Sequence, residues 1–246
     1  DVQGDDAGLI EFVRGVGRDW KLGDINHSNP VVIGPPVGVA TQMGAGYDAF
    51  KLAWEDRRKV LYVGANDGML HCFDVATGEE LWGFIPYNLL PMLKNMWGVD
   101  SVTLDRYFVR DVYVDGSPVV ADVLLGGDWK TILVCGQGPG KGSVIGGGVN
   151  YYFALDVTDP ENPIPLWELT DSTMGETWSV PLIGKVVKNG ADTWVAFVGS
   201  GYDNNNTDPG AVLGNVLYAV DLADGSIFWR FEADEVDTSD PARTND

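Results

Sequence analysis

The chain has 246 residues and a formal net charge of −20 at pH 7, a balance that repels phosphate backbones and removes nucleic acid from the expected partners. No apolar run approaches the roughly 20 residues needed to cross a bilayer, and the acidic start DVQGDD lacks the basic-then-apolar form of a secretory signal. With 32 glycines and 45% hydrophobic residues the composition suits a turn-dense all-β fold with a solvated acidic surface.

In chain order, residues 1–26 read as a lead-in helix and linker. AGLIEFVRG places Leu9, Ile10 and Val13 on one helical face. From His27 the pattern changes to short runs of Val, Ile, Leu and Tyr separated by Gly, Asn, Asp and Pro. HSNPVVIG (27–34) and VLYVGANDG (60–68) lead into the hairpin HCFDVATGEELWGF. PYNLLPMLKNMW (86–97) is a second helical pattern, expected to be short and peripheral like the first.

The same three pieces recur twice. DGSPVVADVLLGG, KTILVCGQG and NYYFALDVTDPENPIPLWEL form a second set, and WSVPLIGKVV, TWVAFVGSG and GNVLYAVDLADGSIFWRF a third. Each set reads as four antiparallel strands, one blade of a β-propeller. The blades span 27–86, 115–170 and 178–232 within a propeller region of 27–234, followed by an acidic tail at 235–246. Only three blades can be counted. A closed ring usually needs at least about four, so the chain reads as part of a larger ring completed by downstream sequence or another chain.

The hairpins share anchors: Asp74 with Trp82, Asp156 with Trp167, and Asp221 with Trp229. An Asp ending a strand is placed to accept hydrogen bonds from the amides of the turn, where Gly78 and Gly225 supply permissive dihedrals. Each Trp then offers a large apolar surface to a neighbouring blade.

Chemistry finds few carriers. His27 and His71 lie in different contexts without HExxH or paired cysteines, so neither reads as a zinc ligand, and His71 reads as a packed or edge residue of its strand. Ser28 follows His27 directly, which does not make a nucleophile–base pair, and no GxSxG elbow exists. Cys72 and Cys135 read as buried free thiols. The glycine-rich run 136–148 has Lys141 followed by Gly142, where a phosphate loop needs Ser or Thr, and reads as a connection. Asp203, Asn205 and Asp208 offer hard oxygen ligands but lack the order of a calcium loop. No catalytic, cofactor or metal residue is assigned. The longest departures from the blade pattern, 88–113 and 136–149, are the expected interaction segments.

The segments KLGDINHSNPVVIGPP, VLYVGANDGMLHCFDVATGEELWGFIP, RYFVRDVYVDGSPVVADV and FALDVTDP resemble the C-terminal propeller of the PilY family of type IV pilus biogenesis factors and tip adhesins. The phrase VGANDGMLHCFDVATGEELW carries most of that resemblance, which runs from about Leu9 to about Phe231. The stretch from Met96 to Pro118 is longer than the family's usual lead into DGSP. The resemblance implies a non-catalytic scaffold that opposes pilus retraction, joins minor pilins at the pilus tip and adheres to a host or abiotic surface. It implies a cell-surface location reached through the periplasm. It also implies a calcium site in a later blade, outside this segment. The alternatives are a pyrroloquinoline-quinone dehydrogenase, whose propeller repeats a similar hairpin, and an outer-membrane assembly scaffold.

Overall fold

A computed structural model of the chain describes residues 6–17, 21–93, 97–99, 102, 106–108, 112–140, 150–188, 190–202 and 213–232. The β-branched and aromatic runs form three four-stranded antiparallel sheets. Blade 1 comprises β1 (Val31–Ile33), β2 (Val60–Gly64), β3 (Leu70–Asp74) and β4 (Glu80–Phe84). After a two-stranded ribbon, β5 (Trp97–Val99) with β6 (Arg106–Phe108), blade 2 follows as β7 (Val119–Leu125), β8 (Asp128–Gly136), β9 (Tyr152–Asp156) and β10 (Ile164–Leu169). Blade 3 is β11 (Leu182–Lys188), β12 (Ala191–Gly199), β13 (Val216–Asp221) and β14 (Ile227–Glu232). In every blade the strands lie in chain order. The three first strands are neighbours, β1 beside β7 and β7 beside β11, which sets them on the inner side of a radial arrangement.

The hairpin anchors act as their chemistry dictates. Asp74 Oδ1 accepts from the amides of Ala76 and Thr77 at 2.7 and 2.8 Å. Asp156 Oδ1 accepts from Thr158 at 3.0 Å, and Asp221 Oδ1 from Ala223 at 2.9 Å. The turns of blades 1 and 3 close through Gly78 and Gly225, whose φ values of 73° and 76° lie in the left-handed region. The backbone amides of Thr77 and Ala76 hold the Asp74 carboxylate below its usual range. Burial alone would push Asp156 up, but the bonds from Lys130 and Thr158 outweigh it and the net direction is down.

Two apolar clusters glue the blades. Tyr62, Leu70 and Cys72 of blade 1 meet Leu133, Cys135, Phe153 and Leu155 of blade 2. Tyr152, Ala154 and Trp167 of blade 2 meet Ala196, Val198, Tyr218 and Val220 of blade 3. Because side chains alternate along a strand, blade 2 thus turns one face to the preceding blade and the other to the following one, and the equivalent faces of all three sheets are their leading and trailing faces.

The helices depart from expectation in three ways. The lead-in helix α1 (Asp6–Val13) buries Phe12 and leaves Ile10 exposed, so the face with Leu9, Ile10 and Val13 is not the packed one. The second helical pattern is a short 3-10 helix at Tyr87–Met92 that inserts Leu89 and Met92 into the core between blades 1 and 2 and is not peripheral. The third departure is an insertion between β1 and β2 holding α2 (Ala40–Met43) and α3 (Tyr47–Ala53), which the blade pattern gives no reason to expect. Tyr47 and Phe50 of α3 pack on Trp129 of blade 2, and buried Arg57 donates from Nε to Gly34 O at 2.7 Å and from Nη1 to Thr131 Oγ1 at 2.6 Å. Asp122 accepts from both Thr131 Oγ1 and Tyr47 Oη at 2.6 Å, so the insertion is bolted to blade 2 through a continuous polar chain.

Candidate functional site

Binding in this molecule is first of all blade on blade, and the tryptophans carry it. Trp82 Nε1 donates to Pro160 O in the hairpin turn of blade 2 at 2.8 Å. Trp167 Nε1 donates to Leu222 O in the hairpin turn of blade 3 at 3.0 Å. A Cβ added at Gly225 would lie 2.7 Å from Trp167 Cγ, so that glycine provides the space for the indole as well as the turn. Trp229 holds the same register position: Cys72 pairs with Trp82, Ala154 with Trp167 and Ala219 with Trp229. Yet Trp167 is 9% exposed and Trp229 45%, and no acceptor for its Nε1 lies among the described residues. Phe231 (55%) and Leu217 (42%) extend the same bare trailing face.

The strand entries converge on a second constellation. His27, Asp115 and Trp178 each stand four residues before the first strand of their blade (31 − 27, 119 − 115, 182 − 178). Asp115, whose side chain is fully buried, accepts from the His27 backbone amide at 2.9 Å and meets His27 Nδ1 at 2.5 Å. The His27 ring lies edge-on to Trp178, centroids 4.8 Å apart. Three blades are thereby tied at equivalent positions by a carboxylate–imidazole–indole contact that leaves much of His27 in solvent. Ser28, next to it in the chain, is buried and its Oγ accepts from Gly64 N at 2.9 Å.

His71 is buried, as a packed strand residue should be, but it is ionic. Nδ1 faces Glu80 Oε1 at 2.6 Å, and Nε2 faces both oxygens of Asp67 at 3.1 Å. Burial alone would lower its pKa; hydrogen bonds and charge from Asp67 and Glu80 outweigh that and raise it to about 9. The ring is therefore an imidazolium at neutral pH.

The interaction segment 88–113 is divided by the fold. Glu168 of blade 2 accepts from the amides of Tyr87 and Asn88, and Asn88 and Gln137 exchange amide hydrogen bonds at 3.0 and 2.7 Å. That anchoring buries Leu89 while Tyr87 and Leu90 face solvent. Residues 141–149, and with them most of the second interaction segment and Lys141, lie outside the described residues. So do Asp203, Asn205, Asp208 and the tail 235–246. Both cysteines are buried and free, with burial pushing Cys72 up to about 12 and Cys135 upward as well.

Three radially arranged four-stranded sheets, the first two each docked on the next through the indole N–H of its last strand, define a β-propeller of the tryptophan-docked kind. The sequence profile described as the PilY1 beta-propeller domain matches residues 22–240. The type IV pilus biogenesis factor PilY1 of Pseudomonas aeruginosa (strain UCBPP-PA14) is 32% identical over 249 residues, covering 94% of this chain and 20% of that protein. The PilY1 homolog of Xylella fastidiosa (strain Temecula1) is 35% identical over 211 residues, covering 81% of the chain and 16% of that protein. The crystal structure of the Pseudomonas aeruginosa PilY1 C-terminal domain superposes with a TM-score of 0.60 at 29% identity, covering 84% of this chain and 37% of that one. The chain belongs to the PilY1 β-propeller family. It spans about a fifth or less of the length of these curated relatives.

Proposed function

We propose that this chain serves type IV pilus biogenesis as a non-catalytic binding scaffold at the cell surface, reached by export through the periplasm. Its partners are minor pilins at the pilus tip, and adhesion to a host or abiotic surface is a second use of the same exposed loops. The observation that carries the reading is the 3-10 helix after β4: Glu168 and Gln137 bolt it to blade 2, and Tyr87 and Leu90 are held out to solvent. A rigid scaffold presenting an exposed aromatic and an aliphatic side chain is the physical form of a protein-docking site. Calcium enters this reading as a regulator bound in a later blade of the longer protein.

The same reading assigns the bare trailing face of blade 3 to a further blade, supplied downstream or by another chain. Leu217, Trp229 and Phe231 supply the seat, and the missing acceptor is a turn carbonyl equivalent to those of Pro160 and Leu222.

Co-purification with recombinant minor pilins tests the pilus assignment. Leu90→Asp is expected to leave the melting temperature unchanged and to weaken capture. Failure of the unmodified chain, and of the longer protein that contains it, to retain any minor pilin refutes the assignment.

A further inference from the structure

The hairpin turns of blades 1 and 3 are built on one frame. In each, the turn glycine donates back to the strand-ending aspartate, Gly78 N to Asp74 O at 2.8 Å and Gly225 N to Asp221 O at 2.9 Å. The residue after the aspartate is tied to the neighbouring chain, Val75 N to Lys59 O at 3.1 Å and Leu222 N to Trp194 O at 3.0 Å. Blade 3 uses this frame to receive an indole. Trp167 Nε1 donates to Leu222 O, Leu222 is fully buried, and Gly225 lies against the ring.

In blade 1 the same frame stands open. Val75, which matches Leu222, is 45% exposed, and among the described residues no donor reaches its carbonyl. A Cβ added at Gly78 would meet nothing within 4 Å, where one at Gly225 would strike Trp167. The leading-face residue just before the aspartate follows the same division: Leu155 and Val220 are fully buried, and Phe73 is half-buried. The lead-in makes its hydrogen bonds to blade 1 at the other end of β3, Gly23 N to Asp67 Oδ2 at 2.7 Å and Asn66 N to Asp24 O at 2.9 Å.

We infer that the turn 74–78 is a preformed indole site and that its occupant is the docking tryptophan of the ring's last blade, so that the ring closes there. The indole N–H donates to Val75 O and the ring lies on Gly78, as Trp167 does on Leu222 and Gly225. The occupant's chemistry follows from the joints already made. Trp82 pairs with Cys72, Trp167 with Ala154 and Trp229 with Ala219, so the incoming hairpin carries a tryptophan on its outer strand opposite a small residue. Because the turn already has the conformation that holds an indole in blade 3, docking requires no rearrangement of its backbone. This chain covers 37% of the Pseudomonas aeruginosa PilY1 C-terminal domain, a relative with length enough for such a blade. The inference rests on the reading that further blades complete the ring.

Proton NMR of the chain alone and with the further blades proposed above tests it. Protons against an indole are displaced by its ring current, so the Gly225 α-protons are displaced in both samples. Those of Gly78 are expected at ordinary positions in the chain alone and displaced once the blades are present. Val75→Asn is expected to lower the urea midpoint about as much as Leu222→Asn with the blades present, and by less than about a third as much in the chain alone. Equal losses for Val75→Asn in the two samples overturn the inference. An undisplaced Gly78 overturns it too, and the Trp229 indole N–H then tells which part failed: if it is protected, blades add without closing on this turn, and if it is not, ring completion itself fails. A Gly78 displacement in the chain alone that grows with concentration and is lost in Trp229→Ala makes a second copy the occupant and likewise overturns the inference.

Discussion

Replacing each docking tryptophan separates a load carried between blades from one carried within a sheet. Trp167 is almost wholly buried and its indole bonds Leu222 O, so Trp167→Ala removes a large packed surface and a hydrogen bond together. Truncation of a buried aromatic costs about 3–5 kcal/mol, a large share of the roughly 5–15 kcal/mol that holds a domain together. Trp167→Phe keeps most of the apolar contact but orphans the Leu222 carbonyl, at a cost of about 1–2 kcal/mol. Trp229→Ala in this chain removes an indole that is nearly half exposed and that, among the described residues, stacks on its strand neighbour Phe231 and meets no acceptor, so the loss is about 1 kcal/mol or less. Urea denaturation followed by far-UV circular dichroism gives the midpoints. Equal losses at Trp167 and Trp229 refute the claim that the indole's work is done on the next blade.

Three further outcomes follow from the geometry. His71 carries a folded-state pKa of about 9 against an ordinary 6.5, so its ion pairs contribute fully below pH 6.5 and are lost as pH rises through 9. Stability measured from pH 6.5 to 9.5 falls more steeply in the parent than in His71→Phe, in which Asp67 and Glu80 remain, as do Arg14 and Lys21, which line the same cleft as His71 and Glu80; parallel curves contradict the pairing. Both thiols are buried with raised pKa values, so an aromatic disulfide reagent at pH 8 labels neither Cys72 nor Cys135 until denaturant is added, and rapid native labelling contradicts their placement. Leu89→Asp lowers the melting temperature sharply while Leu90→Asp does not, because only Leu89 lies in the core; the reverse order contradicts the docking of the 3-10 helix.

The blades were legible because their signals are local. A strand-ending aspartate, a turn glycine and a tryptophan on the next strand identify a hairpin, and the recurrence of Asp74–Trp82, Asp156–Trp167 and Asp221–Trp229 identifies the architecture. What the sequence hid depends on contacts between distant residues. The His27–Asp115 pair joins positions 88 residues apart, and only the shared placement of HSNP, DGSP and WSVP before their strands signals that the two meet. Nothing near Arg57 marks it as buried, since its partners Gly34 and Thr131 come from a strand end and from another blade. His71 occupies an alternating strand position, which tells that it packs but not that Asp67 and Glu80 would charge it. The lead-in helix misled by composition: three aliphatic residues suggested a face, and Phe12 is the residue that finds a pocket.

The indole N–H groups report on the account most directly. Hydrogen exchange at the indoles of Trp82, Trp167 and Trp229, followed by NMR in this chain alone and with the further blades proposed above, supplied by downstream sequence or another chain, is expected to show Trp82 and Trp167 protected in both and Trp229 protected only when those blades are present. Free exchange at Trp82 or Trp167, or a Trp229 indifferent to the added sequence, contradicts it.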